Sequence, residues 1–318
     1  MKLRNHDKMQ KNTGERLASN KKKIFISAKA YYYIMALPGI LLLILFNYVP
    51  MGGIIMAFQD FRVSKGIFGS DFVGFKHFKN FFNSIGFTRI IRNTILLSVS
   101  KMTITNLLAI CFAIMINEVR IKWFKKAVQT VSYLPHFMSW VILAGLMTNL
   151  FSMSGPVNEL LTKLGLDKVN FFGNDAAFRP LLIWSDVWKG FGYSSIIYLA
   201  AITGVDPGLH EAAAIDGAGW FRRVWHVTLP AMLPIIILNI CLNVSGILNA
   251  GFEQVYNLYS PVTYESGDII DTYVYRAGLL DKQYSLSTAI GLFKSVIGLT
   301  LMLLMNECSK KFAKRSVF

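Results

Sequence analysis

The sequence predicts an all-α polytopic membrane protein, and two features of its composition lead to this prediction. Of its 318 residues, 53% are hydrophobic and only 16% are charged, and the mean hydropathy is +0.44. This balance lies outside the range of ordinary soluble domains. The apolar residues also fall in blocks of about 20, the length that a helix needs to cross about 30 Å of hydrocarbon.

Six apolar blocks follow one another along the chain, and we expect each to form one transmembrane helix. Their approximate ranges are Tyr32–Met56, Ile90–Ile116, Thr130–Phe151, Pro180–Ile202, Ala231–Asn249 and Ser285–Met305. The blocks show no period-two alternation, so helices rather than barrel strands are expected. No hydrophilic stretch is long enough to fold as a separate domain.

The distribution of lysine and arginine predicts that both termini are cytoplasmic. In a six-span arrangement with the N-terminus inside, the inner segments hold 19 of these residues and the outer segments hold 11, and cytoplasmic flanks are the basic ones. We therefore expect a basic cytoplasmic tail at 1–30, a transmembrane domain at 31–306 and a cytoplasmic tail at 307–318. The net charge of +15 is densest in the first thirty residues, directly before an apolar run. This placement favours a membrane flank over a nucleic-acid surface.

The cysteines and the N-terminus raise two further possibilities. Cys111, Cys241 and Cys308 are too few and too scattered for a disulfide framework or a zinc site. A basic start followed by an apolar run also resembles a secretory signal, but the run is long and no small-residue cleavage site follows it. We therefore expect a retained first span.

The connection after the fourth block, at 203–230, predicts two short cytoplasmic helices. Asp206 can cap a helix that begins with Pro207, and Gly217 and Gly219 interrupt it. A second, amphipathic helix is expected to carry Trp220, Val224 and Val227 on one face and Arg222, Arg223 and His226 toward solvent, with Pro230 ending it before span five. An amphipathic hairpin on the membrane surface is the alternative interpretation.

The residues of this loop resemble a known family. Glu211-Ala212-Ala213, then Gly217, then Leu229-Pro230 reproduce the EAA signature of ATP-binding-cassette (ABC) importer permeases of the maltose-transporter type. The resemblance implies that the loop inserts into a cleft of an ATPase, that Glu211 contacts that ATPase and that Gly217 makes the bend.

The likeness extends from about Met51 to the C-terminus and is closest to the lipoprotein or polysaccharide permeases of the carbohydrate-uptake group; residues 72–78, 188–193, 252–255 and 268–276 carry it. It implies a bacterial plasma-membrane location and alternating access. The implied partners are a second homologous permease, a cytoplasmic ATPase dimer, an extracellular solute-binding protein, membrane lipid and an oligosaccharide substrate.

Polar and aromatic residues within the apolar blocks suggest a path for that substrate between spans three, four and five. Buried amides and indoles are costly in lipid and usually face a bundle interior. Together they suit a sugar, whose hydroxyls need hydrogen bonds and whose ring faces stack on aromatics. The alternative is that these groups hold helices together. The candidates are Asn239, Asn243 and Asn249 of span five, Trp184, Trp188 and Tyr193 of span four, and His136 and Trp140 of span three.

Lysines near the spans and tyrosines of the last outer loop are weaker signals. Lys101, Lys189 and Lys294 lie in or beside spans, but the sequence assigns none of them a transport role. The outer loop collects acids and five tyrosines, which could offer a face to a solute-binding protein. These tyrosines are Tyr256, Tyr259, Tyr264, Tyr273 and Tyr275.

The sequence contains no recognisable motif for nucleotide binding, catalysis or metal binding, and this restricts the classes of function that we expect. The sequence has no phosphate loop ending in Gly-Lys-Ser or Gly-Lys-Thr, no grouping of nucleophile, base and orienter, and no metal-ligand spacing. We therefore expect no catalytic residue, metal or cofactor in this chain, with ATP and magnesium bound by the partner ATPase. A permease for another solute class, a secondary transporter and a membrane enzyme or scaffold are the alternatives, although paired repeats with ionisable coupling residues are not evident.

Overall fold

The computed structural model describes residues 28–313, so the expected basic tail lies mostly outside the described residues, as do the last five residues. The chain divides into two compact units at Gly53. The helices and strands in chain order are α1 (Ala28–Leu43), α2 (Val49–Met51), β1 (Gln59–Asp60), α3 (Gly66–Gly69), β2 (Asp71–Phe72), α4 (Lys76–Phe82), α5 (Phe87–Glu118), α6 (Lys122–Tyr133), α7 (Trp140–Leu150), α8 (Pro156–Lys163), α9 (Asp175–Thr203), α10 (Pro207–Ile215), α11 (Trp220–Arg223), α12 (Leu229–Ser245), α13 (Phe252–Leu258), α14 (Tyr264–Gly267), α15 (Ile270–Tyr275) and α16 (Tyr284–Ala313).

The described part of the N-terminal unit, residues 28–53, is helical, and from Tyr31 onward its side chains are predominantly apolar on all sides. Helix α1 runs through a π-helical turn at Ile44–Tyr48 into α2. Large apolar side chains are exposed along its whole length, from Tyr31 to Met51. A helix that is hydrophobic all round fits a lipid environment, and this segment is one of the candidate spans; its retention in the mature protein stays a prediction.

Four helices in the described part of the chain are long and apolar enough to cross a membrane, and a fifth span results if one bent pair is counted. The four are Tyr31–Phe58, Phe87–Glu118, Trp220–Ser245 and Tyr284–Glu307. The fourth predicted block also forms a helix, α9, which is 29 residues long. It carries Asp175, Arg179, Asp186 and Lys189 along with its apolar residues. The polytopic helical class is confirmed.

The third predicted block is not one continuous helix, and this expectation is wrong. Helices α6 and α7 are separated by a 3₁₀ turn at Leu134–Phe137 and meet at 103°. Pro135 lacks the N–H that a continuing helix needs. Met138 and Ser139 are extended, and the Ser139 hydroxyl then caps α7 by accepting from the Ile142 N–H at 3.4 Å. Helix α7 therefore starts directly after the segment in which the preceding helix ends.

Pro230 does not end a helix, contrary to the sequence prediction. Helix α11 passes through a π-helical turn at Val224–Thr228 into α12, so Trp220–Ser245 is one helix of 26 residues. In the wider turn the Leu229 N–H reaches the Val224 carbonyl, five residues back, directly before the proline. Such π-bulges let a helix absorb a residue that cannot donate. The same arrangement precedes Pro50, where the Val49 N–H reaches the Ile44 carbonyl.

The long helices α5 and α9 pack against each other and organise the core of the larger unit. Toward one end, Leu97, Phe178, Leu182 and Val255 are buried together. Toward the other end, Ala109, Ala113, Tyr198 and Met232 form a second buried cluster. Small residues on α5 allow α9 and α12 to approach closely, as is usual between membrane helices. Between these clusters lies the polar site described next.

Candidate functional site

The loop after α9 presents the EAA residues on an exposed helix. The Asp206 side chain accepts from the Gly208 N–H at 2.9 Å and so caps α10, as predicted. Glu211 and Ala212 are exposed, and Ala213 is half-buried. Helix α10 therefore carries its one carboxylate at the surface, beside side chains small enough for a partner to approach closely.

Gly217 ends α10 through a left-handed turn. Its φ is +78°, a conformation that costs a residue with a side chain about 1–2 kcal/mol. The Gly217 N–H donates to the Ala214 carbonyl at 3.1 Å and the Ala218 N–H to the Ala213 carbonyl at 2.9 Å. These two bonds form a Schellman motif, which satisfies the last carbonyls of the helix. A Cβ on Gly217 would meet no atom within 4 Å, so the glycine is required by its φ alone.

Helix α11 attaches the loop to the spans. Trp220 and Val224 pack against the buried cluster around Tyr198 and Met232, as their common face predicted. The opposite side exposes Phe221 and Trp225, which are 79% and 69% accessible, and Ile215 at the end of α10 is 86% accessible. Exposed aromatics of this size are typical of surfaces that contact lipid or another protein.

A cavity of about 810 Å³ opens between α5, α9 and α12. Five of the eight residues predicted for the solute path line it, namely His136, Tyr193, Asn239, Asn243 and Asn249. Helix α12 ends at Ser245, before the predicted end of the fifth block, and Asn249 lies in the turn that follows. The cavity therefore gathers the amides of α12 and of the turn after it together with two rings, His136 and Tyr193.

A chain of hydrogen bonds fixes the amides of α12. The Asn243 Nδ2 donates to Asn239 Oδ1 at 3.1 Å, and the Asn239 Nδ2 donates to Tyr198 Oη at 2.7 Å and to Asn106 Oδ1 at 3.3 Å. The Tyr198 hydroxyl closes the network by donating to Asn106 Oδ1 at 2.6 Å. Asn106 and Tyr198 are buried, whereas Asn243 is exposed to the cavity. Asn243 therefore has polar capacity to offer a solute, held in place by buried partners.

Three predicted path residues lie elsewhere. Trp184 and Trp188 line a separate apolar pocket of about 470 Å³ beside Leu146, Leu150 and Pro180. Trp140 is buried, with the Lys189 ammonium 5.5 Å from the centre of its ring. The structure thus separates the indoles of α9 from the amides of α12, and the proposed stacking role of these tryptophans stays a prediction.

The sequence analysis did not identify several residues that line the cavity. Ser98, Lys101, Thr105 and Asn106 of α5 line the cavity, as does Asp186 of α9. The signal was present, because these α5 positions are spaced by three, four and one residues, which puts them on one helical face. Within the described residues, Ser98 Oγ and Thr105 Oγ1 are buried without a protein hydrogen-bond partner, so these two oxygens lie beneath the cavity surface rather than on it.

Lys101 and Lys294, two of the lysines near spans, are held in different ways. Lys101 is buried and donates to the Ala250 carbonyl at 2.8 Å and to Gln254 Oε1. Gly251, at φ +89°, leaves room for this ammonium. Lys294 instead forms an ion pair with Asp271 at 2.5 Å. Lys101 therefore fastens the turn after α12 to α5, at the edge of the cavity.

The segment after α12 is built around one ion pair with a buried carboxylate. Asp268 is fully buried and binds the Arg276 guanidinium through both oxygens, at 2.7 and 3.2 Å. Burial works against the arginine's charge, but the bond to Asp268 outweighs it and raises the pKa of Arg276. Burial also raises the pKa of Tyr259, whose hydroxyl accepts from Arg276.

The predicted tyrosines of this segment do come together. Tyr264 lies under the Arg276 guanidinium at 4.4 Å, and its ring centre is 5.1 Å from that of Tyr259. Tyr256 and Tyr275 pack edge to face with ring centres 4.8 Å apart. The aromatic cluster is thus a packed surface, anchored from below by the Asp268–Arg276 pair.

Comparison with known proteins adds the family. Residues 105–314 match the family described as "Binding-protein-dependent transport system inner membrane component". The polygalacturonan/rhamnogalacturonan transport system permease protein YteP of Bacillus subtilis (strain 168) is 47% identical over 91% of this chain and 90% of its own length. Protein LplB of the same organism is 39% identical over 91% of each chain.

A solved structure resembles the fold as well as the sequence. It is a chain of a bacterial alginate ABC transporter, crystallised in complex with an alginate pentasaccharide-bound periplasmic protein. The TM-score is 0.83 and the sequence identity is 41%, over 90% of this chain and 96% of that chain. These matches confirm the family resemblance that was based on the EAA loop.

Proposed function

Because the chain belongs to the family of binding-protein-dependent transport system inner membrane components, we propose that it is the pore-forming permease subunit of an ABC importer for oligosaccharides or polysaccharide fragments. It is a multi-pass protein of the bacterial plasma membrane. The observation that carries the proposal is the cavity of about 810 Å³ between spans, whose wall holds the amides of Asn239, Asn243 and Asn249.

The chemistry of the cavity suits a sugar. Amides both donate and accept, as sugar hydroxyls do, and Tyr193 offers a ring face. The printed names of the relatives point the same way, since they describe proteins for polygalacturonan, rhamnogalacturonan and alginate.

The mechanism we propose is alternating access driven by a separate ATPase. A solute-binding protein delivers the sugar outside, closure of the ATPase dimer on ATP moves the α10–α11 loop, and the spans reopen inward. A second, homologous permease completes the path, because one chain encloses only one side of it. The exposed Glu211 and the aromatics of α11 form the ATPase contact, and the tyrosine cluster on the outer segment faces the binding protein.

For topology we propose six spans with both termini in the cytoplasm. The bent pair α6–α7 and the helix α9 supply the two spans beyond the four long apolar helices. In a chain whose own cysteines are replaced, a cysteine at Ser19 should react with a membrane-impermeant thiol reagent only after the membrane is opened. Reaction from the outside of intact cells would overturn the arrangement.

The amide chain gives a specific test of the sugar path. We expect Asn243→Ala to lower uptake roughly fivefold, because one hydrogen bond to the solute is lost, worth about 1 kcal/mol. The binding protein should still capture sugar normally. Asn83→Ala, which removes an exposed amide outside the cavity, is the control for amount and folding. Wild-type uptake by Asn243→Ala at normal membrane levels would place the sugar path elsewhere.

The proposed function itself is tested by uptake in a strain that lacks this chain. Restoring the chain should restore uptake of labelled oligosaccharides, and a panel that includes neutral sugars, uronic-acid oligomers, amino acids and peptides identifies the solute class. Uptake should require an intact ATPase and should survive collapse of the proton gradient while ATP is maintained. Uptake that follows the gradient and not ATP would indicate a secondary transporter instead.

A further inference from the structure

Lys189 of α9 makes an unusual set of contacts at the edge of the cavity. Its ammonium donates to the carbonyl oxygens of Pro135, His136 and Met138 at 3.3, 2.9 and 2.5 Å. All three carbonyls belong to the break between α6 and α7. One side chain from a neighbouring helix thus binds the backbone of the break at three points.

The carbonyls are available because the helix stops there. The last carbonyls of any helix lack intrahelical donors, and here the chain turns extended at Met138 and Ser139. In a membrane-spanning segment an unsatisfied backbone group is strongly destabilising. An ammonium supplies three donors, and a positive charge is favourable at a helix C-terminus. The Pro135 carbonyl already accepts from the Met138 N–H at 3.2 Å, so Lys189 chiefly satisfies the carbonyls of His136 and Met138.

Two residues near Lys189 on α9, Gly192 and Tyr193, contact the same segment. The Tyr193 ring, one turn further, lies parallel to the His136 ring with centres 3.9 Å apart. Gly192 is buried where the Ser132 carbonyl approaches so closely that any Cβ would collide with it. The break is thus held by a cation, a ring and a glycine on consecutive turns of α9.

We propose that Lys189 is a positioning residue for the solute path. It holds the 103° break in place, and this fixes the stacked His136 and Tyr193 rings in the cavity wall. Its role needs hydrogen-bond donors directed at the break and does not need contact with the solute. Arginine, which keeps the charge and the donors, should replace it, glutamine should replace it in part, and methionine should not.

The direct test is hydrogen exchange of the backbone amides of residues 136–141, with the full-length chain in lipid nanodiscs. We expect exchange roughly tenfold faster or more in Lys189→Met, intermediate in Lys189→Gln and close to wild type in Lys189→Arg. Lys294→Met is the matched control, since it removes another lysine from a span whose ion pair with Asp271 lies away from the break. It should leave these amides unchanged.

Wild-type exchange in Lys189→Met, or equally fast exchange in Lys189→Arg and Lys189→Met, would overturn the proposal. If Lys189→Met is not recovered from membranes, the comparison of Lys189→Gln with Lys189→Arg decides in the same way. A second readout is the amount of solute moved per ATP hydrolysed, which should fall in Lys189→Met and recover in Lys189→Arg. Only this second readout rests on the proposed function, because the exchange measurement does not depend on transport.

Discussion

Replacing Glu211 by alanine is expected to abolish ATP-driven uptake while the chain still reaches the membrane in normal amounts. Glu211 is exposed on α10, so its loss removes no buried contact, and alanine is the better helix former. A charged hydrogen bond to the ATPase is worth about 1.5–3 kcal/mol. Its loss at a docking surface should separate ATP hydrolysis from solute movement. Uptake and membrane level are measured in the same cells.

Asp216→Ala is the matched control for this prediction. Asp216 is also an exposed acid, and it lies at the C-terminal end of the same helix, outside the EAA signature. It should retain most of the uptake. Equal losses in the two variants would show that overall loop charge matters rather than Glu211, and full uptake in Glu211→Ala would refute the docking role.

Gly217→Pro should have a similarly large effect, for a conformational reason. Proline fixes φ near −65°, whereas Gly217 has φ +78°. Proline also lacks the N–H that Gly217 donates to the Ala214 carbonyl. The Schellman turn then cannot form, α10 loses its orientation relative to α11, and transport should be lost. The measurement is again uptake at verified membrane level.

Gly219 offers the same substitution at a compatible position. Its φ is −64° and an added Cβ would meet no atom within 4 Å. Gly219→Pro should therefore keep most of the transport activity, since proline adopts this φ without strain. If Gly219→Pro fails as completely as Gly217→Pro, the loop rejects proline in general and the left-handed turn is not the cause.

The helical blocks were predictable from the sequence because hydropathy is averaged over many residues. The direction that the backbone takes within a block was not predictable in this way. The third block is predominantly apolar. Its hydropathy gives no sign that the chain turns by 103° within it. The local signals were Pro135, which lacks a donor, and Ser139, a good N-cap. At Pro230 the rule that proline ends a helix gave the wrong prediction, because the π-helical turn before it accommodates a residue without an N–H donor.

The site was predictable in part for a similar reason. Asn239 and Asn243 are four residues apart, so they had to share a face of one helix. Asn106 and Tyr198 were missed because their role depends on which faces of α5 and α9 meet α12. Trp184 and Trp188 show the converse, since helix rotation places them beside Leu150 rather than Asn243. When a helix is apolar on most sides, its rotation is set by packing with neighbours.

The unbroken helix from Trp220 to Ser245 has a mechanical consequence. It spans 26 residues, about 39 Å at the usual rise, with the loop that carries α10 attached at one end and Asn239 and Asn243 near the other. Because the helix is continuous through the π-helical turn at Val224–Thr228, a rotation of its loop end about the helix axis is carried along the backbone to the amides, whereas this turn and Pro234 are the points at which the helix can bend. The rotational position of each side chain also depends on the length of this helix. One residue added to it would rotate Asn243 by about 100° around the helix axis, out of the cavity wall.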